Sequence, residues 1–180
     1  MTIQDYKNTL GDYAKDMKLN LGSILKDDGT SGLSVTQIMG IALTSAYVSK
    51  AKNLSQAILV EAHGILSDAE LNAAKSAATI MGMNNIYYRF LHTNKDSEYG
   101  TMPAQLRMNV IANPGIEKTD FELYALAASV INGCGMCIEA HIKSVLNDGL
   151  TKKAVQTTVR IASVIHGVAQ AEFIGSLDEK

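Results

Sequence analysis

The chain has 180 residues, 47% of them apolar, enough for one or two compact units with a sizeable core. Its formal charge is −2 and it has no basic run, so it lacks the electrostatic footprint of a nucleic-acid binder. Two cysteines are too few to staple a secreted scaffold, and the longest charge-free runs, such as Leu123 to Ile138, are too short to span a membrane.

Two prolines, no tryptophan and many Ala, Leu, Met and Ile residues favour helix. The segment from Met1 to Lys7 lacks the basic-then-apolar order of a signal peptide, so the expected location is cytoplasmic. Ile3, Tyr6, Leu10, Tyr13 and Met17 recur at steps of three and four, predicting one amphipathic helix over 3–19. Asp27 to Gly32 reads as a loop, after which Ser34 caps a helix running to about Ser49. Another helix is predicted over 51–65. Ser67 and Glu70 then fit a capping box that opens a long helix.

The polar stretch from Asn94 to Thr101 is the best candidate for an exposed connection. Met102-Pro103 allows a new helix with proline in its first turn, ended by Asn113-Pro114-Gly115. Helices follow from Glu117 to Ile131, from Cys134 to Leu146 and over roughly 152–173, separated at Asn132-Gly133 and Asp148-Gly149. No segment alternates as a half-buried strand does, so the expected fold class is all-α. A shift of 51 residues lays Ala77 to Gly82 over Ala128 to Gly133, and Met83, Ile86 and Phe90 over Cys134, Cys137 and His141. That echo suggests two related helical units, approximately 34–95 and 102–173, within a single domain over 1–180.

The chemistry concentrates in the second unit, where both cysteines stand as Cys134-Gly135-Met136-Cys137 with His141 one turn on. At i and i+3 the thiols share one face of a helix's first turn, where free N–H groups favour thiolate. His141, at i+4 from Cys137, can accept a proton on that face. Glu122 lies ten residues before Asn132 and His141 eight after Gly133, so a bend between antiparallel helices brings them to similar height. A carboxylate there can orient the imidazole.

Three readings of the pair stay open: a redox dithiol, two packed core cysteines, or half of a structural zinc site. The in-register histidine favours the first, and the absence of a second cysteine pair weighs against zinc. Alone, Glu122 reads as a solvated first-turn glutamate. His63 and His92 read as surface residues, and His166, in an apolar run, as a packed, hydrogen-bonded one. A non-enzymatic helical interaction protein is the rival from another class.

The stretch from Asn132 to His141 resembles the active-site signature of the alkyl hydroperoxidase D family, in the carboxymuconolactone-decarboxylase-like superfamily. The segments Ile80 to Arg89, Met102 to Met108, Ile111 to Gly115 and Arg160 to Ala169 resemble other parts of it, so the likeness covers nearly the whole chain. The resemblance implies an AhpD-like all-α fold of two related units, commonly assembled as a homotrimer. It also implies an antioxidant thiol peroxidase and disulfide reductase, acting on organic hydroperoxides and on the peroxiredoxin of an alkyl hydroperoxide reductase system. No cofactor or metal is expected to be bound; dihydrolipoamide on a lipoylated dehydrogenase-complex subunit is the implied electron donor. The family's roles fall on Cys137 as attacking thiol, Cys134 as resolving thiol, and His141 with Glu122 as proton relay. One departure stands out: some members carry histidine just before the second cysteine, where this chain has Met136. Decarboxylation, the activity in the superfamily's name, does not call for a CxxC.

Overall fold

The computed structural model describes residues 1–26, 29 and 31–177, and every regular element among them is helical. The predicted loop over 27–32 lies partly outside the described residues. None of the described helices is long and apolar enough to cross a membrane.

Two helices form the centre, α3 (Val35–Val48) and α8 (Lys118–Asn132). Residues 38–46 of the first and 121–129 of the second are all buried, so both are surrounded by protein rather than half-solvated. They pack against each other, and Gly40 makes that approach possible, because a Cβ there would run into the Tyr124 ring. Around them lie α2 (Lys15–Ile24), α4 (Lys52–Ala62), α5 (Asp68–Thr93), α9 (Gly135–Asn147) and α10 (Lys152–Ser176). α1 (Ile3–Thr9) packs on α4.

Local chemistry sets several helix starts. Ser34 with Gln37 and Ser67 with Glu70 form the reciprocal hydrogen bonds of a capping box, and Thr151 caps α10 through the Ala154 N–H. At the other end of α8, Gly133 adopts φ 68° and ψ 37°, the left-handed region that glycine enters without penalty. The Gly133 N–H donates to the Val130 carbonyl and the Cys134 N–H to the Ser129 carbonyl, which closes α8 and turns the chain straight into α9.

Two predicted helices are corrected. The one expected over 3–19 is broken after Thr9: Leu10 and Gly11 are extended, a 3₁₀ turn covers Asp12–Ala14, and α2 starts at Lys15. The Tyr13 ring lies against Gly11 and its hydroxyl donates to the Ala171 carbonyl at 2.8 Å, so the turn is anchored to α10. Both pieces keep the apolar register, which is why periodicity shows no break. The helix expected from Pro103 is reduced to α7 (Asn109–Ala112), preceded by the single turn α6 (Glu98–Thr101). Met102, held extended before proline, and Gln105, at φ 52°, keep the intervening segment out of the helical region.

The helices α3, α4 and α5 begin at Val35, Lys52 and Asp68; α8, α9 and α10 begin at Lys118, Gly135 and Lys152, offsets of 83, 83 and 84 residues. The 51-residue echo instead lays the unbroken middle of α5 over the bend at Gly133, so the helix boundaries do not follow it.

Candidate active site

The site is built on the bend between α8 and α9. Cys134 is the N-cap of α9, and its sulfur accepts the Cys137 N–H at 3.3 Å. The two cysteines are joined as a disulfide with Cα atoms 5.3 Å apart, so they do not stand as two independent packed thiols. Their exposures differ: Cys134 is fully buried, while Cys137 keeps 8% of its surface open. Cys137 is therefore the less shielded of the two, while Cys134 is closed off at the helix start, where partial positive charge gathers.

Facing the pair across the bend, Glu122 is buried at 6% exposure. This overturns its solitary reading as a solvated first-turn glutamate; the residue lies in the second turn of α8, inside the core. Its Oε2 lies 2.7 Å from Nδ1 of His141, which donates the hydrogen bond when it carries the proton. Holding Nδ1 in that way leaves Nε2 as the free ring nitrogen.

Cys137 and His141 open onto a cavity of about 220 Å³. Its other walls are Met81, Asn84 and Tyr88 from α5, Met108 and Ile111 from the segment before α8, and Met136 and Ala140 from α9. The lining is almost wholly apolar; beside the reacting groups its polar residues are Tyr88, whose hydroxyl points to the Met108 sulfur at 3.8 Å, and Asn84. Thioethers give the chamber a soft, adaptable wall. All four predicted site residues thus lie together: the cysteines bonded to each other, Glu122 bonded to His141, and His141 beside Cys137.

The bend is clamped from α5. The fully buried Asn85 donates from Nδ2 to Ser129 Oγ at 2.9 Å and accepts from Asn132 Nδ2 at 2.9 Å. Arg89 donates to the Asn132 carbonyl at 2.7 Å. The CxxC spacing gives no hint of these residues; the only trace in the sequence is a polar pair, Asn84-Asn85, inside the apolar run from Ile80 to Ile86.

The other histidines lie elsewhere. His63 is exposed at the end of α4. His166 is half-buried, with Nδ1 3.2 Å from Ser49 Oγ. His92 is exposed in the last turn of α5, but it faces the first residue of α9, its Nε2 3.8 Å from where a Cβ on Gly135 would stand. Among the described residues no group of three or more His, Cys, Asp or Glu side chains converges as a metal site would require.

Comparison with known proteins agrees with this geometry. The carboxymuconolactone decarboxylase family profile matches residues 97–174, which include the whole of the bend. The alkyl hydroperoxide reductase AhpD of Coxiella burnetii is 52% identical over 172 residues, covering 96% of this chain and 97% of the relative. That of Rhodospirillum centenum is 52% identical over 169 residues, covering 94% and 89%. The AhpD of Rhodopseudomonas palustris is 50% identical over 169 residues, covering 94% and 92%. Such identity, together with a bonded cysteine pair at a cavity, makes this an enzyme of thiol-based redox chemistry. The chain belongs to the AhpD family within the carboxymuconolactone decarboxylase superfamily.

Proposed function

We propose that the chain is an antioxidant thiol peroxidase and disulfide reductase that reduces organic hydroperoxides, a partner peroxiredoxin, or both, with a lipoyl dithiol as electron donor in the cytoplasm. The observation that carries this reading is the asymmetry of the pair: an accessible Cys137 beside the His141–Glu122 couple and an apolar cavity, backed by a buried Cys134.

In the reduced enzyme the Cys137 thiolate attacks the terminal oxygen of the hydroperoxide. A sulfur–oxygen bond forms as the oxygen–oxygen bond breaks, and the departing alkoxide takes a proton through His141 and leaves as alcohol. Cys134 then attacks the sulfenic sulfur, the disulfide forms, and hydroxide leaves as water after protonation. A dithiol reverses the oxidation. Its thiolate attacks the Cys137 sulfur from the cavity, and Cys134 departs as a thiolate favoured by the Cys137 N–H and the start of α9. The donor's second thiol then releases the mixed disulfide. Reduction of a peroxiredoxin disulfide delivers this enzyme to the same oxidised state. Met136 lines the cavity where some relatives carry histidine, so the relay rests on His141 and Glu122 alone.

Two architectural points belong to the same reading. The triplets α3–α5 and α8–α10 are the two related units of one domain; Met39, Leu54 and Ile58, all buried, stand 83 residues before Glu122, Cys137 and His141, so only the second unit carries the reactive groups. The enzyme works as a homotrimer. Exposed Ile86 and Phe90, one turn apart on α5, with Tyr99 edge-on to Phe90 at 5.3 Å, offer a subunit contact its apolar centre.

The test is intact mass. One equivalent of cumene hydroperoxide removes two hydrogens from the reduced chain, and dihydrolipoamide restores them. A chain whose mass does not change in that cycle contradicts the peroxidase half of the proposal.

A further inference from the structure

Asn84 sits on α5 at 3% exposure, in the wall of the cavity that Cys137 and His141 share. Its Oδ1 is buried and has no hydrogen-bond partner among the described residues. The adjacent Asn85 shows what a structural asparagine does in this fold: both ends of its carboxamide are paired with α8. Buried polar groups are normally satisfied, and one left unpaired beside reacting groups is destabilising unless something it binds completes it.

We propose that the Asn84 carboxamide is the polar recognition point of the substrate cavity, hydrogen-bonding the O–O–H head of an alkyl hydroperoxide whose carbon chain packs against Met81, Met108 and Met136. This rests on the peroxidase reading above and adds to it the group that orients the substrate. A carboxamide offers both an acceptor and a donor, and rotation about its terminal bond exchanges them. With the carboxamide turned so that Oδ1 faces the cavity, it accepts the hydrogen of the terminal peroxide oxygen and holds that oxygen toward the Cys137 sulfur. The hydrogen stays with that oxygen when it becomes the sulfenic acid, and the carbon-bearing oxygen leaves with the proton supplied through His141. Recognition of this kind favours a substrate with one polar end and one apolar end. It gives little to a lipid ester or a fully apolar molecule, which lacks the hydroxyl.

The test compares the full-length chain with Asn84→Leu, which keeps the side chain's size and removes its polarity, and with Asn84→Ser. Pre-reduced protein is mixed with cumene hydroperoxide and thiol loss is followed in a single turnover, beside iodoacetamide alkylation, disulfide reduction by dihydrolipoamide, and thermal unfolding. Both variants are expected to react about tenfold more slowly with the hydroperoxide, the effect of one lost hydrogen bond to substrate. Alkylation and disulfide reduction stay at parental rates, and Asn84→Leu melts no lower than the parent. Unchanged oxidation by the hydroperoxide overturns the assignment. So does a fall in every rate together with a lower melting temperature, which marks a structural role. A parent chain inert to cumene hydroperoxide instead overturns the peroxidase reading, and this assignment with it.

Discussion

Nδ1 of His141 and Oε2 of Glu122 lie 2.7 Å apart, tying α9 to α8 across the bend that carries both cysteines. The carboxylate accepts Nδ1–H and so selects the tautomer whose Nε2 is free to take a proton. Glu122→Gln keeps the shape but can donate to Nδ1, reversing the tautomer. It is expected to slow single-turnover oxidation by cumene hydroperoxide about tenfold, and His141→Phe about a hundredfold, as loss of a positioned acid–base group does. Alkylation of Cys137 in His141→Phe then needs a higher pH than in the parent. A superimposable alkylation profile counts against the relay.

Asn85 and Asn84 are neighbours with opposite expectations. Removing the Asn85 carboxamide strands the fully buried Ser129 Oγ and takes a partner from the part-buried Asn132 amide. Asn85→Leu should therefore destabilise the fold by about 1–3 kcal/mol, the usual penalty for buried groups left unpaired. Urea unfolding measures it. Because the clamp holds the Cys134 turn, slower disulfide reduction accompanies the loss, in contrast to Asn84→Leu.

Glu172 of α10 does for α4 what no residue of α4 does for itself. Ala51 stands at the N-cap with no side chain to offer, and the Glu172 carboxylate accepts the Asn53 and Leu54 N–H groups, each at 2.9 Å. It also accepts the Tyr6 hydroxyl at 2.9 Å, joining α1, α4 and α10. Glu172→Ala is expected to lower stability by about 1–3 kcal/mol. Peroxide oxidation of the folded variant keeps the parental rate, since none of these groups lines the cavity. A variant as stable as the parent in urea contradicts this role.

The same junction predicts an alkaline limit. Burial, reinforced by the Glu172 carboxylate, pushes the Tyr6 hydroxyl well above its ordinary value of 10.0. A raised folded-state value means the contribution is intact below pH 10 and is lost as pH rises past it, because the unfolded chain releases the proton first. Stability should fall more steeply above pH 10 in the parent than in Tyr6→Phe, measured by urea midpoints across that range. Parallel curves rule this out.

Much of this architecture was legible in the sequence, for reasons that are local. Capping residues at Ser34 and Ser67, and the glycine exits at Gly133 and Gly149, fix helix limits within a few residues of chain. The bend at Gly133 let Glu122 and His141 be paired from arithmetic alone. What escaped was set by distant contacts. The break at Leu10-Gly11 depends on Tyr13 reaching Ala171, and the loss of helix after Pro103 depends on backbone conformation at Met102 and Gln105. The cavity wall from Met81, Asn84 and Tyr88 comes from a helix some fifty residues upstream, whose packing on α9 no motif records.

In the proposed cycle Cys137 is the sulfur that meets the substrate and Cys134 the one that resolves it. Stoichiometric mixing of reduced Cys134→Ser and Cys137→Ser with cumene hydroperoxide, followed by intact mass, separates the two roles. Cys134→Ser should consume one equivalent and gain a single oxygen, trapped as sulfenic acid, while Cys137→Ser consumes none. Oxidation of Cys137→Ser at the parental rate, with Cys134→Ser inert, would contradict the assignment.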